Sequence, residues 1–133
     1  MLRSFFIAAF IIVLISCNKP TGIKDYVEGS DSVAINFFKG DGTMDMVVKV
    51  SIIKDKKQLE TLAGYMESTA IEDTRCGYDG SIHFFKGGVV LKDINFRMNN
   101  PKCMHFSFVL DKSMYSTKLS GEAKEFLTQI MKH

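Results

Sequence analysis

A chain of 133 residues is long enough for one domain and short for two. With 46% hydrophobic and 24% charged residues, it has the composition of a folded protein and not of a disordered one. Lys+Arg 17 against Asp+Glu 15 leaves a net charge of +2 and no basic stripe for nucleic acid, and three cysteines are too few for a disulfide-built scaffold.

The chain opens on Met1-Leu2-Arg3-Ser4, with one positive charge, followed by the apolar run Phe5 to Ile15. A basic start, a short apolar stretch and a small residue at its end form a secretory signal. The run has 11 residues, whereas a bilayer span takes roughly 17–25, so a permanent transmembrane helix is the weaker reading. Leu14-Ile15-Ser16-Cys17 then resembles the lipobox of bacterial lipoproteins. The resemblance covers the signal segment alone. It implies cleavage after residue 16, a diacylglyceryl group on the Cys17 thiol and an acylated new amino terminus. Two or three acyl chains anchor a protein durably, where a single chain does so only marginally. Asn18 after the cysteine is similar to an outer-membrane address in the enterobacterial sorting rule, so the outer membrane is expected over the inner one.

Residues 17–31, with Pro20, Gly22 and Gly29, read as a tether. Residues 32–133 read as a single α+β domain. Val33, Ile35 and Phe37 alternate with Ala34 and Asn36. Met44, Met46, Val48, Val50 and Ile52 alternate across the turn Lys39-Gly40-Asp41-Gly42, which predicts a hairpin. Asp55 and Gln58 form the start of a capping box, after which Leu59, Leu62, Ala63 and Met66 keep helical spacing. Ser81 to Lys86, Gly87-Gly88 and Val89 to Met98 predict a second hairpin. Met104 to Leu110 is a further strand, with a short addition at Tyr115 to Lys118. Ser120 caps a helix with the apolar stripe Ala123, Phe126, Leu127, Ile130 and Met131. The expected order is ββ-α-βββ-α, an antiparallel sheet of about five strands with both helices on one face.

With Cys17 lipidated, Cys76 and Cys103 remain, and in an oxidising envelope two such cysteines most often pair. A zinc site from Cys76, His83, Cys103 and His105 has the right ligand types, but its spacing is poor and CxxC is missing. A redox-active thiol lacks CxxC as well. No G-x-S-x-G, H-E-x-x-H, Walker A or G-x-G-x-x-G motif occurs, so neither a catalytic residue nor a cofactor is assigned. The loop Asp73 to Gly80 places Arg75, Tyr78 and Asp79 beside a cysteine that a disulfide would hold rigid. Arg and Tyr are common interface anchors, so these three residues are the binding candidates.

The whole arrangement resembles small lipoproteins of Gram-negative envelopes, among them those of the Bacteroidota. The expected function is a lipid-anchored, non-catalytic binding or assembly module acting on an envelope protein, without nucleic acid. An immunity or inhibitor protein is a subtype. The alternatives are a small enzyme using His83, His105 and Asp79, and a carrier with an apolar cavity.

Overall fold

The computed structural model describes residues 21–39, 46–72 and 75–133. The signal segment 1–16, Cys17 and the residues up to 20 lie outside the described residues, as do the turn at 40–45 and positions 73 and 74. The chain is α+β with a single antiparallel sheet, and the described elements are seven strands and three helices. In order they are α1 (Ile23–Val27), β1 (Ser32–Phe38), β2 (Val47–Ile53), α2 (Lys56–Met66), β3 (Ala70–Ile71), β4 (Gly80–Lys86), β5 (Val89–Arg97), β6 (His105–Leu110), β7 (Ser113–Lys118) and α3 (Gly121–Lys132). The sheet runs β2-β1-β4-β5-β6-β7-β3. Among the described helices none is long and apolar enough to cross a membrane.

The five strands and two helices read from the sequence are thus corrected upward. The additions are short elements or elements without a strong local signal. β3 has two residues and owes its existence to β7, against which Ala70 and Ile71 pair. α1 has five residues, too few to form without packing. It buries Ile23 and Val27 in the core, while Thr21 and Gly22 bond the Glu67 carboxylate at the end of α2. The segment read as tether therefore joins the domain from Thr21 onward. β7 follows a tight turn at Asp111-Lys112, both with positive φ (49° and 68°) and neither a glycine. Two successive left-handed residues make the hairpin turn that suits strand twist, a geometry usually announced by Asn-Gly. The Gly87-Gly88 turn between β4 and β5 adopts positive φ at both residues and carries that announcement openly.

Both longer helices begin where their caps predict. The Asp55 carboxylate accepts from the Gln58 amide at 2.9 Å, and Ser120 Oγ accepts from the Ala123 amide at 3.1 Å. Leu59, Leu62, Ala63 and Met66 of α2 and Ala123 and Leu127 of α3 enter one core with Val33, Ile35, Phe37, Ile82, Phe84, Ile94, Phe96, Phe106 and Phe108. Tyr65 and Phe126 meet edge to face at 5.7 Å and join the two helices. Phe37 and Phe96 do the same at 5.9 Å across the sheet. The helices thus cover one face of the sheet and leave the other open.

The apolar set of β2 lies on that open face. A plain hairpin continued from Phe38↔Val47 would set Val48, Val50 and Ile52 opposite Phe37, Ile35 and Val33, all pointing to the core. A bulge between Phe37 and Phe38 instead leaves Val48 without a partner and shifts the register. Val33, Ile35 and Phe37 then face Ile53, Ser51 and Lys49. One extra residue in a strand exchanges its two faces.

Two substitutions test these local rules. A Cβ at Gly80 would strike the Asn36 carbonyl and the Phe96 ring, so Gly80→Ala is expected to cost about 3 kcal/mol in a denaturant melt. Lys112→Gly removes a left-handed strain of about 1–2 kcal/mol and returns part of it as unfolded-chain entropy, so a net gain of about 0.5 kcal/mol is expected in the same measurement.

Candidate functional site

Two regions concentrate chemistry, both on the face away from the helices. The first is the loop that enters β4. Cys76 and Cys103 form a disulfide with Cα atoms 6.6 Å apart, which ties this loop to the start of β6. Tyr78 lies over His105 with ring centroids 5.7 Å apart, and His105 is fully buried beneath the loop. Asp79 is 2% exposed. Its carboxylate accepts from the Met98 and Asn99 amides at 2.8 Å each and from Arg97 Nη1 at 3.1 Å. Its backbone joins the Phe96 carbonyl and the Phe38 amide, so Asp79 closes the ends of three strands.

The binding candidates are accordingly divided. Arg75 is exposed, Tyr78 is half-buried against His105, and Asp79 is committed to the fold. The residues proposed for zinc divide too. Sulfur and imidazole atoms of Cys76, Cys103 and His105 gather within 4.8 Å, whereas His83 is engaged elsewhere. With the disulfide closed, the two sulfurs are bonded to each other and offer no thiolate to a metal. The trio His83, His105 and Asp79 does not converge either, because each is held by different partners.

The second region is a polar band across the middle of the open face. The register aligns Val50, Asn36, Ser81, Asn95, Ser107 and Ser116 in one row across six strands. The next row along the strands holds Ile52, Ala34, His83 and Asp93. Within this band His83 Nδ1 is 2.5 Å from Asp93 Oδ1, and His83 Nε2 is 3.0 Å from Ser81 Oγ. Asn36 Nδ2 lies 3.2 Å from both Ser81 Oγ and His83 Nε2. A carboxylate only accepts, so Nδ1 carries the imidazole proton and Nε2 is left to accept from the serine hydroxyl.

A bulge decides this arrangement. The Gly87-Gly88 hairpin starts as Lys86↔Val89 and Phe85↔Val90, which continued plainly would set His83 opposite Lys92. Leu91 is left without a partner, the register shifts by one, and His83 meets Asp93. No sequence signal located that bulge. The spacing Ser81-x-His83 was the available clue, since residues two apart on a strand share a face.

Apolar side chains flank the band on both sides. Val48, Val50 and Ile52 of β2 are 58%, 54% and 59% exposed, and Val90, Val109 and Met114 are also exposed on the far side. A shallow groove of about 490 Å³ runs over β5 to β7, with Asp93, Asn95, Ser107, Val109 and Met114 in its wall. A larger cleft of about 970 Å³ lies between α1 and the start of α2, lined by both signs of charge through Lys24, Lys54, Lys56, Asp25, Asp31 and Glu60. The core phenylalanines Phe37, Phe84, Phe96, Phe106 and Phe108 lie between the sheet and the helices.

The loop and its disulfide have a measurable weight. Closing a loop between cysteines 27 positions apart restricts the unfolded chain by about 3.5 kcal/mol, so Cys76→Ser with Cys103→Ser is expected to lower unfolding free energy by that amount in an oxidising buffer. Asp79→Ala is expected to cost about 3 kcal/mol, since it strands Arg97, the buried Met98 amide and the part-buried Asn99 amide. Equal stability of the variants and the wild type in chemical denaturation would contradict both assignments. No protein family, curated protein or solved structure matches this chain.

Proposed function

We propose that this chain is an envelope lipoprotein anchored through Cys17, in the outer membrane over the inner, and that its domain binds an envelope protein along β2. The observation that supports this reading is the row Val48, Val50 and Ile52, each more than half exposed on a strand at the edge of the sheet. An aliphatic edge strand invites association, because it offers unpaired main-chain groups and apolar surface together. An extended segment of the partner that adds a strand beside β2 satisfies both, its alternate side chains covering the three aliphatics. Exposed Lys54, Lys56 and Lys57 follow directly on β2, so acidic residues at that end of the segment complement it.

The link between the anchor and the domain is short. Thr21 and Gly22 are bonded to Glu67, so only residues 17–20 remain to link lipid and domain. Four residues reach about 14 Å at full extension, which keeps the α1 end of the domain near the bilayer.

The test is site-specific photo-crosslinking from position 50 of the full-length protein in intact cells. One envelope protein is expected in the adduct. Its yield is expected to fall at least about tenfold on Ile52→Asp, the equivalent of losing roughly 1.4 kcal/mol of contact. The Cys17→Ala protein, deprived of its anchor, is expected to lose the adduct. Adducts only with a second copy of this chain, or none at all, would overturn the reading.

A further inference from the structure

We infer that Ser81, His83 and Asp93 form a nucleophilic centre that hydrolyses acyl esters on the open face of the sheet. This goes beyond the docking reading and is independent of it. The three side chains stand in the order nucleophile, base and orienting acid, with Ser81 Oγ 3.0 Å from His83 Nε2 and His83 Nδ1 2.5 Å from Asp93 Oδ1. Such a centre is recognised by geometry and roles, since the same constellation recurs on unrelated folds in different chain orders. A cross-strand His–Asp pair alone would merely cover a sheet. The hydroxyl 3.0 Å from the unprotonated nitrogen, closer than the Asn36 amide at 3.2 Å, is what adds a reaction.

Asn36 supplies the fourth element. Its amide nitrogen sits 3.2 Å from both Ser81 Oγ and His83 Nε2, and its two protons turn from these atoms to the carbonyl oxygen when Oγ attacks. The steps then balance. Ser81 Oγ bonds to the ester carbonyl carbon while its proton passes to His83 Nε2, and the carbonyl oxygen takes the negative charge next to Asn36 Nδ2. The carbon–alkoxide bond breaks, and the alcohol leaves with the proton from His83. Water, giving its proton to His83, attacks the acyl-serine, and the proton returns to Ser81 as the carboxylic acid departs.

The surroundings select the substrate class. The groove over β5 to β7 is lined by Asp93 and Asn95, which neighbour His83 and Ser81 in the register, and by Val109 and Met114. It fits an ester with a short apolar chain lying along those two residues. Ser81 is 8% exposed, so the carbonyl must come down between Asn36 and Asn95, which excludes bulk next to the scissile bond. Asp93 has a side chain 67% exposed, where solvent screens its charge, so it contributes less than the other two.

The experiment uses the full-length protein in detergent, with a fluorophosphonate probe and p-nitrophenyl butyrate. One probe per chain on Ser81 is expected by peptide mass spectrometry. Ser81→Ala is expected to abolish labelling and ester turnover. His83→Gln is expected to slow both at least about 100-fold, and Asp93→Asn to slow them less, with unfolding temperatures of the variants close to the wild type. A folded wild-type protein that carries no probe on Ser81 overturns the assignment, whether or not the variants fold. So does Ser81 labelling at an unchanged rate in folded His83→Gln.

Discussion

Two β-bulges, each a single residue without a partner, govern what this sheet presents to its surroundings. At Val48 the bulge turns β2 over, so that Ser51 and Lys49 point toward the helices while Val50 and Ile52 point away. At Leu91 the bulge moves Asp93 into place opposite His83, where the unshifted hairpin would have put Lys92. A register slip in a strand is normally opposed by the core, because it would expose the wrong side chains. β2 escapes that penalty as an edge strand whose inward side is covered only in part. Ile53 is buried there, and Ser51 Oγ bonds to the Ile130 carbonyl of α3 at 3.4 Å.

The same division of labour runs through the rest of the molecule. One face is filled by aromatic and aliphatic side chains from five strands and three helices, and it holds the domain together. Among the described residues, the loop at Cys76 to Asp79 is what lies over the other face. That loop is fastened twice, by the disulfide to Cys103 and by the Asp79 carboxylate to the end of β5. Fastening a loop in advance removes ordering cost from any later contact. It also buries His105, so the imidazole left on the open band with a serine and a carboxylate is His83.

The open face thus combines three surfaces a few strands apart: an aliphatic edge, a polar centre and an apolar groove. Edge pairing and ester chemistry make different demands on them. A docked strand beside β2 uses main-chain groups and Val48, Val50 and Ile52, and leaves Ser81 two strands away. An ester over Ser81 uses Asn36 and the groove toward Met114. The proposed docking and the proposed ester chemistry therefore do not compete for the same surface.

Much of this protein was legible in its residues because the signals are local. The Asp55 and Ser120 caps, the apolar stripes of both long helices, the Gly87-Gly88 turn and the alternation of β1, β4 and β5 each depend on neighbours a few positions apart. From them follow the α+β class and the antiparallel sheet. The pairing of Cys76 with Cys103 was legible from the cysteine count once Cys17 was set aside on its lipobox resemblance. Elements that exist only through distant partners were not legible: β3 needs β7, and α1 needs the core and Glu67, whereas β7 was read as a short strand at Tyr115 to Lys118 and in fact starts at Ser113, after a left-handed turn built from Asp111 and Lys112. Arg75, Tyr78 and Asp79 were singled out by residue type, which does not distinguish a side chain that faces solvent from one, like Asp79, that closes three strands. Which way β2 faces, and whether His83 meets an acid or a lysine, was decided by the tertiary structure alone, because a bulge is chosen by the packing of whole strands and leaves no mark in the order of their residues.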